Sequence, residues 1–369
     1  MKTYRNLYQK ICSYENLFLA FRKARKGKTL LPYVIAFEQH LDDNLLELRT
    51  ELLLHSYRPR PLKSFILRDP KTRTISVSEF RDRIVHHAIC NIIEPFFEKT
   101  FIYDSYANRK RKGTLAAIER LESFAEKVSK NNTIVQKIQK KNCVRGFCLK
   151  ADIKKYFDTV DHKKLMEILR EKIKDKELLF LVSTILQNYS TMESKGMPLG
   201  NLTSQFFANV YLNELDQFVK HQLKAKYYLR YVDDFVILDN DAEKLQKYRL
   251  KIDAFLQNVL FLSLHENKSK IFPLSRGILF LGMRVFPHHR RLRKKSLGRV
   301  YLKLAMYGKE YLEKKRTYDS IYDFLEGWIA YAKQANTYKL RKRMLQKFEE
   351  KFSSEISTKE VNRHLPRKR

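Results

Sequence analysis

The sequence predicts an α+β fold, mostly helical, in which a few apolar strands end in acids. Three observations predict it. Apolar residues recur at helical spacing over long stretches, and only 10 glycines interrupt 369 residues. Short apolar runs bounded by turn residues appear at 146–153, 227–238 and 278–283. Hydrophobic residues make up 44% of the chain, enough to bury a core in two or three packed modules.

Residues 1 to about 56 read as helices, because Phe18, Phe21 and Ala24, and then Leu41, Leu45, Leu48 and Leu52, fall on helical faces. Tyr57-Arg58-Pro59-Arg60-Pro61 ends that run, since each proline disfavours helix in the residue before it. A hairpin is expected next, with Ser64-Phe65-Ile66-Leu67 and Thr74-Ile75-Ser76-Val77 around the turn Asp69-Pro70-Lys71. Residues 82–97 read as a helix with Ile84, Ala88, Ile92 and Ile93 on one face. The Lys-rich segment 127–142 reads as a loop or frayed helix end. Residues 146–153 read as a buried strand. Residues 227–238 read as a tight hairpin with Asp233-Asp234 at its tip, and 278–283 as a short strand. From about Phe286 the chain reads as basic helix, and Trp328 shares a face with Phe324 and Tyr331 as core.

Charge narrows the function. Lys and Arg total 74 against 41 acids, a formal net charge of +33. Self-repulsion of that size disfavours a compact state. A polyanionic partner is therefore expected, nucleic acid first and an anionic membrane surface second. Residues 1–28 mix Lys and Arg among their apolar positions, so no signal peptide or anchor is expected, and no run reaches the roughly 18 apolar residues of a membrane span. Cys12, Cys90, Cys143 and Cys148 are too few for a disulfide scaffold. A reducing, cytoplasmic setting fits. Cys143 and Cys148 lack a second Cys/His pair at zinc spacing.

The acids suggest chemistry. Asp152 closes one apolar strand, and Asp233 and Asp234 sit at the turn of another. In an antiparallel sheet such ends can meet. Three carboxylates together repel unless a divalent cation neutralises them, and Mg²⁺ prefers hard oxygen ligands. Two such ions would clamp an in-line displacement at phosphorus. Alone, Tyr231-Val232-Asp233-Asp234 is also ordinary turn chemistry.

It does not stand alone. Asp152 to Phe157, then Gly196-Met197-Pro198-Leu199-Gly200-Asn201-Leu202-Thr203-Ser204-Gln205, then Tyr231-Val232-Asp233-Asp234, Asn267-Lys268 and Leu281-Gly282 resemble the ordered motifs A to E of reverse transcriptases. Arg81–Val85 and Glu94–Glu98 resemble the finger region of bacterial and group II intron enzymes. The resemblance implies a right-hand polymerase fold with fingers, antiparallel-sheet palm and helical thumb. The division it implies is N-terminal helices and fingers over 1–145, palm over 146–285 with helices inserted at 162–195, and a basic thumb over 286–369.

The resemblance also implies roles. Asp152, Ile153, Asp233 and Asp234 would hold two Mg²⁺ ions, with Mn²⁺ able to substitute. Phe157 would be a steric gate against a ribose 2′-OH, its plainer reading being core packing. Arg68, Lys71 and Arg73 would hold the incoming triphosphate from the finger hairpin, and Leu199, Gly200 and Gln205 would border the nucleotide. Lys268 would protonate the leaving pyrophosphate, a role Lys270 could also fill. Leu281 and Gly282 would be the primer grip. Template RNA, the cDNA/RNA hybrid and dNTPs would be the partners, with no membrane.

Most bacterial and retroviral enzymes carry Gln-Gly-x-x-x-Ser-Pro in motif B. Here Leu199 replaces the Gln and Gln205 the Pro, which resembles diversity-generating retroelement enzymes, as does Ala330–Leu340. That subfamily copies a template RNA with errors opposite adenine, and implies a small, basic, oligomeric accessory variability protein as partner. Three other readings remain: an intron-encoded or defence-associated reverse transcriptase, a template-independent synthetase, and a non-catalytic RNA-binding scaffold.

Overall fold

A computed structural model describes residues 2–68, 72–138, 141–189 and 194–364 of the protein. It is α+β, with helices and antiparallel strand pairs. Two compact units are interleaved along the chain. Among the described residues, no helix is long and apolar enough to cross a membrane.

The first unit comprises Met1–Gly113, Leu149–Ile237 and Glu243–Lys270. Its N-terminal helices form where expected. Ser13 caps the helix Tyr14–Arg25, its side chain accepting from the Asn16 amide at 3.2 Å. That helix buries Leu17, Ala20, Phe21 and Ala24 and packs along Phe80–Glu98. Phe18, expected on the same face, is exposed. Leu45, Leu48 and Leu52 are fully buried on Leu41–Leu53. The finger hairpin pairs Lys63–Leu67 with Arg73–Val77, in register Ser64↔Ser76. Its expected turn, with Lys71, lies outside the described residues.

Helix Leu202–Gln217 is the centre of this unit. It buries residues on every side, from Thr203 and Phe206 to Leu215 and Asp216, as a helix enclosed by others must. It packs against Phe80–Glu98 and His162–Lys172. In its sheet, Tyr227–Tyr231 lies beside Asp234–Asp239, then Phe147–Asp152.

The second unit comprises Thr114–Cys148, Leu238–Ala242 and Ile271–Arg369. Segment 127–142 departs from expectation. The helix Thr114–Ser129 runs into it, and an antiparallel hairpin of Ile134–Ile138 and Lys141–Val144 follows. The β-branched run Thr133-Ile134-Val135, and Val144 on the facing strand, favour strands that lysines conceal in composition. Stretch 278–283 is not one strand. Ile278–Phe280 and Met283–Phe286 pair through a turn at Leu281-Gly282, and His289–Leu292 adds a third strand before the helices begin at Lys294. Arg290 joins this sheet to helix Thr114–Ser129 through Glu122, Nη2 to Oε2 at 2.5 Å. Trp328 is 7% exposed on Tyr318–Ala332, within the core of this unit.

Candidate active site

The acidic turn is one residue earlier than expected. Tyr227–Tyr231 ends, Val232 and Asp233 make the turn, and Asp234 opens the next strand. Val232 has φ +55°, a left-handed conformation that a β-branched residue adopts only under constraint. Asp152 ends its own strand beside this turn. The amide of Ile153 donates to the Asp233 carbonyl at 3.2 Å. The Asp152 carbonyl accepts from the His265 amide at 2.7 Å, and the Asp152 amide reaches Ser269 Oγ at 3.5 Å. Three chain segments therefore meet at the acids.

Two lysines enter the cluster. Lys268 Nζ donates to Asp152 Oδ1 at 2.8 Å. Lys150 Nζ donates to Asp234 Oδ1 at 2.7 Å. Among the described residues, no cation pairs directly with Asp233. Burial, and then the charge of Asp152, pushes Asp233 up to about 6. Burial also raises Asp234, with Lys150 opposing it. Among the described residues, no three His, Cys, Asp or Glu side chains already converge as a metal chelate. The donor set nevertheless suits a divalent cation: hard carboxylate oxygens, with Asp233 buried beside Asp152.

Backbone contacts hold several of the residues expected to border a nucleotide. Phe157 is half-exposed on the single turn Tyr156–Thr159, and its carbonyl accepts from the Met197 amide at 2.7 Å. The Leu199 carbonyl accepts from Ser76 of the finger hairpin at 2.9 Å. Gly200 has φ +126°, and a Cβ there would stand 3.0 Å from both Ile75 Cγ2 and Val77 Cγ1. Asn201 Oδ1 accepts from the Ser78 amide at 3.0 Å, and Gln205 follows, half-exposed, on helix Leu202–Gln217. Motif B is thus seated on the finger hairpin. Arg68 and Arg73 of that hairpin are exposed to solvent. Leu281 and Gly282 belong to the second unit, at φ +47° and +89°, a pair of left-handed residues that matches a tight hairpin turn. Tyr331 Oη donates to the Gly282 carbonyl at 3.3 Å.

Sequence reasoning missed Lys150 and a buried arginine, Arg230. Lys150 was findable, because a residue two before Asp152 in a strand shares its face. Arg230 carried a different signal, a charge inside the apolar run Tyr228-Leu229-Arg230-Tyr231.

Comparison with known proteins identifies the family. Residues 67–285, more than half of the chain, match the family profile described as reverse transcriptase (RNA-dependent DNA polymerase). Protein YkfC of Escherichia coli is 28% identical over 313 residues, covering 73% of this chain and 75% of YkfC. The group II intron-encoded protein LtrA of Lactococcus lactis is 24% identical over 229 residues, covering 58% of this chain but only 35% of LtrA. A telomerase structure from Candida albicans superposes with a TM-score of 0.45 at 11% identity, over 70% of this chain and 52% of that one. On the 67–285 match, the chain belongs to the reverse transcriptase (RNA-dependent DNA polymerase) family.

Proposed function

We propose that this protein is the polymerase of a diversity-generating retroelement, copying a template RNA into cDNA with errors opposite adenine. The observation that carries this reading is motif B, with Leu199 and Gln205 where the wider family has Gln and Pro. Leu199 is half-exposed beside the finger hairpin. An amide there can hydrogen-bond and so restrain the nascent base pair, whereas leucine offers no polar contact. Discrimination between right and wrong pairs then falls.

Chemistry follows from the acids. Asp152, Asp233 and Asp234, with the backbone at Ile153, would hold two Mg²⁺ ions, for which Mn²⁺ can stand in. Bound there, the ions supply charge neutralisation for the attacking and leaving oxygens. The primer 3′-hydroxyl gives its proton to solvent, and its oxygen bonds to the α-phosphorus of the dNTP as the bond from that phosphorus to the α,β-bridging oxygen breaks and pyrophosphate leaves. Lys268 gives a proton to the departing pyrophosphate. Arg73 and Arg68, with Lys71, hold the triphosphate. Phe157 excludes a ribose 2′-OH, and Leu281-Gly282 steadies the primer. In this reading the fingers, palm and thumb follow 1–145, 146–285 and 286–369. The partners are template RNA, the cDNA/RNA hybrid and a small basic accessory protein, in the cytoplasm.

Primer extension on a defined RNA with Mg²⁺, with and without an accessory protein, tests this. Wild type should give cDNA whose errors concentrate at template adenines. Asp233→Ala should abolish synthesis while sparing RNA binding, and Leu199→Gln should lower adenine errors severalfold. Unchanged error rates in Leu199→Gln would sink the account of infidelity, and product made without template would make the protein a synthetase. A second reading, an intron-encoded enzyme, is favoured by the match to LtrA. Errors spread evenly over all four template bases would support it.

A further inference from the structure

Arg230 lies three residues before Asp233 and is fully buried, as is its partner Asp216. Every N–H of its guanidinium is used. Nε and Nη2 donate to the two Asp216 oxygens at 2.8 and 2.6 Å. Nη2 also donates to Ser105 Oγ at 3.1 Å, and Nη1 to Asn209 Oδ1 at 3.3 Å and to the Val232 carbonyl at 3.0 Å. Tyr228 Oη donates to Asp216 as well, at 2.6 Å. Asp216 and Asn209 belong to the enclosed helix Leu202–Gln217, and the backbone of Arg230 bonds on both sides to Asp104 and Tyr106. The network is anchored in rigid structure and has one free end, the Val232 carbonyl.

That end matters because of Val232. A β-branched residue at φ +55° is held only where its surroundings over-determine it. The Val232 carbonyl belongs to the peptide that leads into Asp233. Fixing that oxygen fixes the plane of the peptide before Asp233, and the Ile153 amide, donating to the Asp233 carbonyl at 3.2 Å, holds the peptide after it, so the Asp233 Cα is constrained from both sides. Supporting core packing alone would not require a guanidinium to reach past its carboxylate partner to this carbonyl.

We propose that Arg230, locked by Asp216, is a positioning residue that holds the strained Val232–Asp233 peptide and so presets Asp233 for a divalent cation. The inference rests on the reading of Asp233 as a metal ligand. Arg230→Lys separates the roles. A lysine keeps the charge opposite Asp216, but its single ammonium cannot fork to Val232 as well.

Mn²⁺ alone is the probe, with the full chain free of nucleic acid and nucleotide. Free Mn²⁺ is followed by electron paramagnetic resonance and folding by thermal unfolding, for wild type, Arg230→Lys, Ser105→Ala and Asp233→Asn. Arg230→Lys should weaken Mn²⁺ binding by roughly 10- to 100-fold at temperatures where its fold is intact, the range found for groups that orient metal ligands. Ser105→Ala loses one hydrogen bond of the network and keeps the fold. It should weaken binding by roughly two- to tenfold, and it decides the matter if Arg230→Lys does not fold. If Asp233→Asn loses Mn²⁺ while Arg230→Lys and Ser105→Ala bind like wild type, the metal reading stands and the positioning role is overturned. If Asp233→Asn binds like wild type, the metal reading itself fails and takes the inference with it.

Discussion

At the scale of single residues, Asp233 concentrates the electrostatic cost of the site. Its carboxyl is pushed up to about 6 by burial and by the charge of Asp152, so the folded state favours the protonated form more than the unfolded chain does. The stability this preference contributes is fully present below the ordinary carboxylate range, near 4, and is lost as pH rises through about 6. In the absence of metal, the wild-type unfolding midpoint should therefore fall between pH 5 and pH 7.5 by more than that of Asp233→Asn. Added Mg²⁺ should recover stability at pH 7.5 in the wild type and not in the variant. Equal pH profiles for the two proteins would show that Asp233 does not carry this cost. That the acids would meet was legible from sequence because Asp152 and the Asp233-Asp234 pair stand at the ends of apolar strands, and the structure brings Asp152 beside the Asp233 turn. Lys150 was legible in principle from the two-residue period of its strand. The partnership of Arg230 with Asp216 was not, because it depends on how helix Leu202–Gln217 packs and no local pattern encodes that.

At the scale of elements, the seat of motif B on the finger hairpin is the contact most exposed to test. Gly200 combines φ +126° with two methyl groups 3.0 Å from where a Cβ would stand. Gly200→Ala should cost about 1–3 kcal/mol of stability and push the hairpin off its seat. Because the Leu199 carbonyl holds Ser76 of that hairpin, KM for dNTP should rise more than kcat falls. Adding Ile75→Ala clears part of the clash and should recover part of the KM. No recovery would place the defect in the backbone conformation alone. Helices and strands of this kind were read well where one face is apolar, as at Leu45, Leu48 and Leu52. Errors fell where local chemistry is ambiguous. Asp-Asp suits a turn, yet the turn closed at Val232-Asp233, because the network at Arg230 holds a valine in the left-handed region. The hairpin within 127–142 was hidden because lysines dominate its composition.

At the scale of the whole molecule, a net charge of +33 makes a quantitative demand on how the protein binds nucleic acid. If the excess cations contact backbone phosphates, each contact releases condensed counterions, and affinity falls linearly on a logarithmic salt axis. A surface making about six to ten phosphate contacts loses roughly 10³- to 10⁵-fold in affinity between 50 and 200 mM salt. Binding to an RNA/DNA hybrid, measured in EDTA so that no synthesis occurs, should show this steep dependence. Asp152→Asn and Asp233→Asn should leave the slope unchanged, because the acids would act on metal and not on the duplex backbone. Bases contribute little to that slope, so scrambling the hybrid sequence should also leave it unchanged. A slope equivalent to only one or two phosphates would mean that the cations serve some other purpose, such as an acidic protein surface. In that event the family's chemistry would remain, but the charge of this chain would have to be explained by a partner and not by its template.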